Sequence, residues 1–224
     1  MFSVEEMQLQ MGKIHNVDCL EFMHQVPDGY FDLVLTDPPY GINAYANGTM
    51  GGGVLAKQST YKKTNWDSKI PTIEVFQELC RISKNQIIFG GNYFIEYLKN
   101  SSCWLVWDKD NGDNYFADCE LAWTNFNTAV RKYKFKWQGM LQADMKNKES
   151  RYHPTQKPVK LFTAILQDYA KSGMKIFDPF MGSGTSAIAS ESLGLEWCGC
   201  ELEPDYVEIA NQRLKLIQTD LFGF

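Results

Sequence analysis

The chain has 224 residues, 44% of them hydrophobic, and 22 basic against 27 acidic side chains leave a net charge of −5. That length suits a single α/β domain over residues 1–224 with a sizeable core, and no run is long and apolar enough to span a bilayer. Residues 1–12 lack a basic stretch followed by an apolar core, so a cytoplasmic location is expected. The six cysteines form no Cys-x-x-Cys pair, which speaks against a zinc site or a disulfide framework. In chain order, residues 13–17 read as a first strand, and 18–26 as a helix beginning at Asp18.

Residues 31–36 form a strongly apolar run that reads as a buried strand. It runs into Asp37-Pro38-Pro39-Tyr40. A carboxylate, a stiff turn and an aromatic face at one strand end suit gripping a planar base by its exocyclic amino group. Proline fixes φ and donates no N–H, so the turn presents carbonyl oxygens rigidly. The glycine-rich segment 41–67 then reads as an inserted loop, a lid over a substrate rather than a linker. Lys62 and Lys63 near its end are candidate contacts to a polyanion.

Helices are expected over 72–84 and 93–99, and strands over 86–90, 103–107, 120–125 and 131–137. Between Arg131 and Lys160 stand nine basic and two acidic residues, a local charge of +7 against −12 for the remainder. A basic patch on an acidic body is the electrostatic footprint of a polyanion-binding surface. Tyr133, Phe135 and Trp137 alternate with Lys132, Lys134 and Lys136, so a strand here has one apolar and one basic face. Arg131, Lys146, Lys148 and Arg151 extend the patch, and about 108–152 reads as a small recognition region.

A helix over 158–171 leads to a strand over 174–178 that ends in Asp178. Pro179 to Thr185 form a turn with Gly182, Ser183 and Gly184, and a helix over 185–193 follows. The next strand, 197–201, closes in Glu201, 17 positions after Gly184. Strand, Gly-x-Gly turn, helix, strand and acid in that sequence point to an adenosine-containing cofactor held by its ribose. No Gly-Lys-Ser/Thr follows, which disfavours a nucleoside triphosphate. The last helix is expected over 204–217. Strands alternating with helices imply a doubly wound, mainly parallel sheet, with ligands beyond the carboxyl ends of its strands.

These segments, in this order, resemble the amino-group DNA methyltransferases that use S-adenosylmethionine, in the permuted arrangement called the β group. The resemblance rests on Asp37-Pro38-Pro39-Tyr40 preceding the Gly-x-Gly turn, on His153-Pro154-Thr155-Gln156-Lys157-Pro158 ahead of it, and on the strand ending at Asp18. It implies a Rossmann-like class I methyltransferase fold acting on double-stranded DNA without a metal. Base flipping would bring the target to Tyr40 for stacking, with Asp37 and the Pro38 carbonyl accepting the amino hydrogens. Glu201 would hold the ribose, Asp18 would lie near the adenine, and Thr155 and Lys157 would take the methionine carboxylate. The backbone near Phe180, Gly182 and Gly184 would line the methionine portion, and Asp178, Ser183 and Thr185 belong to the same segment. His153 is either a direct contact or a structural hydrogen-bonder. Asp rather than Ser at position 37 favours N6 of adenine over N4 of cytosine. An RNA or protein amide N-methyltransferase is the other reading, but that motif usually starts with Asn in the unpermuted order.

The brevity of the recognition region suggests a short recognition sequence or help from a second subunit, hence a homodimer. Gln218-Thr219-Asp220-Leu221-Phe222 resembles the peptides with which bacterial replication proteins engage the sliding clamp. An extended tail would present Gln218, Leu221 and Phe222 to such a partner.

Overall fold

The computed structural model describes residues 11–43, 49–50, 59–60, 67–112, 117–138, 141–142, 144–146, 148–153 and 155–222. The strands are β1 (Lys13–His15), β2 (Phe31–Thr36), β3 (Thr49–Met50), β4 (Ser59–Thr60), β5 (Ser83–Phe89) and β6 (Trp104–Asp108), then β7 (Cys119–Thr124), β8 (Arg131–Lys134), β9 (Trp137–Gln138), β10 (Leu141–Gln142), β11 (Lys175–Asp178) and β12 (Glu196–Cys200). The helices are α1 (Cys19–Met23), α2 (Ile73–Ile82), α3 (Val159–Tyr169), α4 (Thr185–Ser192) and α5 (Pro204–Phe222).

Eight strands form one sheet in the order β1-β12-β11-β2-β5-β7-β6-β8, while β3–β4 and β9–β10 are two-stranded. All eight run parallel except β7, which is antiparallel to both β5 and β6. The expected mainly parallel sheet is therefore present, with one reversed strand. From β2 the chain winds outward to β5, whereas from β11 it winds the other way to β12. The gap between β2 and β11 is thus the switch point, where an open α/β sheet leaves a crevice at its carboxyl edge.

Each face of the sheet is covered. On one side α3, α4 and α5 place Leu161, Phe162, Ile188, Ala210 and Leu214 against Leu33, Leu35 and Ile87. On the other, α1 and α2 place Phe22, Phe76 and Leu79 against Val34, Ile88 and Phe177. Phe177 stacks on Phe31 with ring centroids 4.6 Å apart. Burial of these apolar faces, rather than helix propensity, holds such short helices in place.

Several boundaries depart from expectation for local reasons. The helix expected over 72–84 ends at Ile82, because Ser83 is already extended and its hydroxyl donates to the Leu79 carbonyl at 2.5 Å. The helix expected over 93–99 does not form: Gly91–Tyr93 is a 3-10 turn, with Tyr93 N–H donating to the Gly90 carbonyl, and a single further turn closes on the Phe94 carbonyl. The strand expected over 131–137 is interrupted at Phe135 and Lys136 and resumes in the β9–β10 hairpin. The C-terminal segment is not extended: α5 continues through Phe222, so Gln218 to Phe222 are helical.

Gly184 sits at φ +86° where α4 meets α5, and a Cβ there would stand 2.8 Å from Ala210 Cβ. Gly184→Ala is expected to cost about 2 kcal/mol from left-handed backbone strain plus overpacking. Urea denaturation should show a lower midpoint at an unchanged slope.

Candidate active site and cofactor cavity

A cavity of about 310 Å³ opens at the carboxyl edge, between the ends of β1, β2, β11 and β12. Asp18 and Glu201 come together there because β1 pairs with β12, and Glu201 N–H donates to the His15 carbonyl at 3.0 Å. Asp18 also caps α1, accepting from Leu20 N–H at 2.8 Å, a second duty beyond the one expected of it. The Glu201 carboxylate accepts from Gly182 N–H at 2.7 Å and Glu203 N–H at 2.8 Å. It therefore ties the Gly-rich turn to the end of β12. Burial pushes its carboxyl up.

Of the residues expected to face a cofactor, Phe180, Gly182, Ser183 and Thr185 line the cavity, as do Asp37, Asp178, His153, Thr155 and Lys157. Gly184 does not line it; its role is the close approach of α4 and α5. The Asp178 carboxylate accepts from Thr36 Oγ1 at 2.7 Å, from Phe180 N–H at 3.0 Å and from the Ser186 hydroxyl. It locks β2, β11 and α4 together at the switch point, and burial pushes it up to about 6. His153 Nδ1 lies 2.9 Å from Thr155 Oγ1, and its ring packs on Tyr206 with centroids 4.5 Å apart. Burial, with Lys157 and Arg151 adding to it, holds His153 down to about 3, so it lines the cavity as a neutral ring. Its two alternative roles, contact and structural support, are both consistent with this position.

Beyond the cavity wall, Asp37 enters a buried ionic cluster. Its Oδ2 accepts from Lys157 Nζ at 2.6 Å, and its Oδ1 from the Tyr40 hydroxyl at 2.6 Å. Lys157 also reaches Glu120 Oε2 at 3.0 Å, and Lys109 reaches Glu120 Oε1 at 2.6 Å. Two carboxylates and two ammonium groups thus balance in charge. The side chain of Lys157 is only 5% exposed, so an unpaired ammonium there would be costly. Burial alone would depress it, but Asp37 and Glu120 outweigh burial and hold it raised. Burial raises Asp37, with Glu120 adding to the rise and Lys157 opposing it. Glu120, despite its burial, is held down to about 2 by Lys157 and Lys109. Lys157 was expected at a methionine carboxylate; its ammonium is instead turned to the Asp37 end of the cavity.

The Pro-Pro turn is held from outside. Asp67 Oδ1 accepts from Tyr40 N–H at 2.8 Å and Gly41 N–H at 3.0 Å. Pro39 lines the cavity, whereas Pro38 does not. Tyr40 stacks on Tyr93 with centroids 4.8 Å apart and planes 15° apart. Beneath it is Gly90, where a Cβ would stand 2.1 Å from the Tyr40 ring, so the ring requires glycine there.

The basic patch is partly neutralised. Lys132 pairs with Asp108 at 3.3 Å, Lys134 with Asp110 at 2.9 Å and Lys160 with Asp144 at 3.7 Å. Arg131, Lys146 and Lys148 are exposed, Lys136 is half-buried, and Arg151 lies over the Trp137 ring. Tyr133 and Trp137 are buried, as the alternation required. Because β8 runs parallel to β6, its carboxyl end lies on the same edge of the sheet as Asp37. Lys62 and Lys63 lie outside the described residues.

Sequence reasoning missed Glu120, Lys109, Asp67 and Tyr93. A strand's first residues normally lie far from the carboxyl edge. Reversal of β7 brings Glu120 to that edge opposite Trp107, two residues before Lys109.

This fold and site define a DNA methylase: the family model N6_N4_Mtase, described as DNA methylase, matches residues 79–212, and the chain belongs to that family. Among similar proteins is the Type II methyltransferase M2.DpnII of Streptococcus pneumoniae, 25% identical, with 92% of this chain and 90% of that protein covered. Another is the Type II methyltransferase M.HinfI of Haemophilus influenzae, 25% identical, covering 90% of this chain and 67% of that protein. The crystal structure of the M1.HpyAVI–SAM complex superposes with a TM-score of 0.55 at 25% identity, covering 90% of this chain and 99% of that one. A Thermus thermophilus protein solved with S-adenosyl-L-methionine gives a TM-score of 0.57 at 17% identity over 90% of this chain and 92% of that one, a likeness of fold.

Proposed function

We propose that this DNA methylase transfers a methyl group from S-adenosylmethionine to the N6 amino group of adenine in double-stranded DNA. The observation that carries the reading is the position of Asp37. It forms part of the cavity wall and is hydrogen-bonded on its other side to the Tyr40 hydroxyl. A carboxylate so placed meets both a cofactor and a planar base.

The residues present fit this cofactor. Asp18 and Glu201 stand side by side for hydroxyl and amino donors. Gly182, at φ +53°, has no atom within 4 Å of where a Cβ would stand, so its backbone is open to a ligand. A cavity of about 310 Å³ suits a nucleoside-sized ligand.

When bound, the cofactor supplies an already activated methyl group on a sulfonium. What remains for the chain is positioning and charge. The base must leave the duplex stack to reach Asp37. Its amino hydrogen takes the place of the Tyr40 hydroxyl at Asp37 Oδ1, which draws the nitrogen lone pair out of ring conjugation. The carboxylate then stabilises positive charge developing on nitrogen. Tyr93 is stacked on Tyr40 and is 43% exposed, so an incoming base must share or take that position. The exposed Lys146 and Lys148 would meet phosphates, whereas Arg131 opens β8 opposite Leu105 and so stands at the other edge of the sheet. The relatives' designation as Type II methyltransferases supports a modification role beside a restriction enzyme.

The test is incubation with unmethylated DNA and labelled S-adenosylmethionine, followed by mass spectrometry of the nucleosides. Labelled N6-methyladenine is the expected product. Labelled N4-methylcytosine would keep the mechanism and overturn the base assignment, and label only in RNA or protein would overturn the substrate.

A further inference from the structure

Glu120 has no role in the reaction as described so far, yet among the described residues it touches both groups that hydrogen-bond to Asp37. Its Oε2 lies 3.0 Å from Lys157 Nζ and 3.4 Å from the Tyr40 hydroxyl, and its Oε1 is 2.6 Å from Lys109 Nζ. The Tyr40 hydroxyl therefore has two acceptors in reach, Asp37 at 2.6 Å and Glu120 at 3.4 Å. Lys157 is shared in the same way, at 2.6 Å from Asp37 and 3.0 Å from Glu120.

This matters because both oxygens of Asp37 already accept a hydrogen bond. Oδ1 is taken by the phenol and Oδ2 by the ammonium. A substrate amine that approaches Oδ1 competes with the phenol for the same oxygen and weakens its hold. A buried phenol that loses its acceptor costs about 1–3 kcal/mol unless another is at hand. Glu120 is at hand, and Lys109 keeps it anchored and charged.

We propose that Glu120 is a positioning residue that takes over the Tyr40 hydroxyl, and a larger share of Lys157, when the substrate's amino group claims Asp37. The role rests on the amino-group methylation proposed above. It makes the cluster a two-position device: Tyr40 on Asp37 when the site is empty, Tyr40 on Glu120 when a base is in place. The groups facing Asp37 are Lys157, Tyr40, Glu120 and, behind it, Asp178. Those facing Glu120 are Lys157, Lys109 and Tyr40.

Glu120→Gln keeps the shape and one acceptor oxygen but removes the charge. Lys157 then concentrates on Asp37 and Tyr40 has a poorer second acceptor. The single-turnover rate of methyl transfer should fall about tenfold, with the cofactor Kd within about threefold. The acid limb of the rate–pH profile should move to lower pH, because Asp37 loses a like charge and keeps its counter-ion. Lys109→Met should do the reverse: Glu120 draws Lys157 away from Asp37, and the limb moves to higher pH. Limbs displaced in opposite directions support the role, since loosened packing has no reason to produce them. If Glu120→Gln does not fold, the Lys109→Met profile alone decides. A wild-type rate in Glu120→Gln, or an unmoved limb in Lys109→Met, overturns it. A wild-type protein that labels no exocyclic amino group is a different failure, of the reaction itself.

Discussion

Replacing Lys157 by methionine is expected to destabilise the protein by about 3–5 kcal/mol at neutral pH and to abolish turnover. Methionine fills nearly the same volume, so the loss is electrostatic. Asp37 and Glu120 share this ammonium in a site where Lys157 is 5% exposed. Without it, among the described residues, Asp37 has no cation and Glu120 retains only Lys109. A buried carboxylate left unpaired costs more than a good ion pair contributes, because the desolvation penalty stays while the attraction is lost. The sign with pH follows from Asp37, whose carboxyl is already raised by burial. Loss of Lys157 raises it further. The variant's native state then binds a proton that the unfolded chain lacks between the ordinary carboxylate range and that raised value. The variant should therefore gain stability as pH falls through this window, and its deficit against the wild type should shrink. Urea denaturation at pH 8 and at pH 5.5 checks this; an equal deficit at both would mean that lost packing, not charge, is responsible.

Much of this centre was legible from the chain alone. The apolar run before Asp37 reads as a buried strand because it is short and stops at a Pro-Pro pair, and β2 is that strand. The Gly-rich turn between β11 and α4 declared itself by its glycines. The two glycines proved to have different work: Gly182 borders the cavity, while Gly184 lets two helices close. A motif gives spacing, and spacing does not say which glycine meets the ligand. Glu120 was not legible, because its place depends on β7 running against its neighbours, and strand direction is a property of the whole sheet. Asp67 was passed over for a similar reason. It lies at the end of a loop of weak pattern, and only the fold brings it under the backbone of Tyr40 and Gly41. The basic patch shows the limit of counting charges along a chain, since Asp108 and Asp110 reach Lys132 and Lys134 from a neighbouring strand and the turn after it.

Asp37→Asn should act on the same ion pair with the opposite consequence for stability. Asparagine keeps the shape of aspartate but replaces one acceptor oxygen by an N–H donor and removes the charge. Lys157 retains Glu120, so no buried ion is left alone. The group removed is one that burial penalises when ionised, and unfolding stability at pH 8 should be unchanged or slightly higher. Catalysis should collapse. The neutral amide cannot stabilise positive charge on the attacking nitrogen, and its donor end repels the amino hydrogens it is meant to accept. A single-turnover rate lower by about 10³-fold is expected, in line with the loss of a group whose interaction grows as charge develops. Cofactor affinity should stay within about threefold, because Asp18, Glu201 and the Gly182 turn are untouched. Rapid-quench methylation and equilibrium cofactor binding on one preparation separate the two effects. A rate within tenfold of the wild type would show that positioning by Tyr40 and the Pro-Pro turn suffices without the charge. A large loss of cofactor affinity would assign Asp37 to holding the cofactor rather than to the nitrogen.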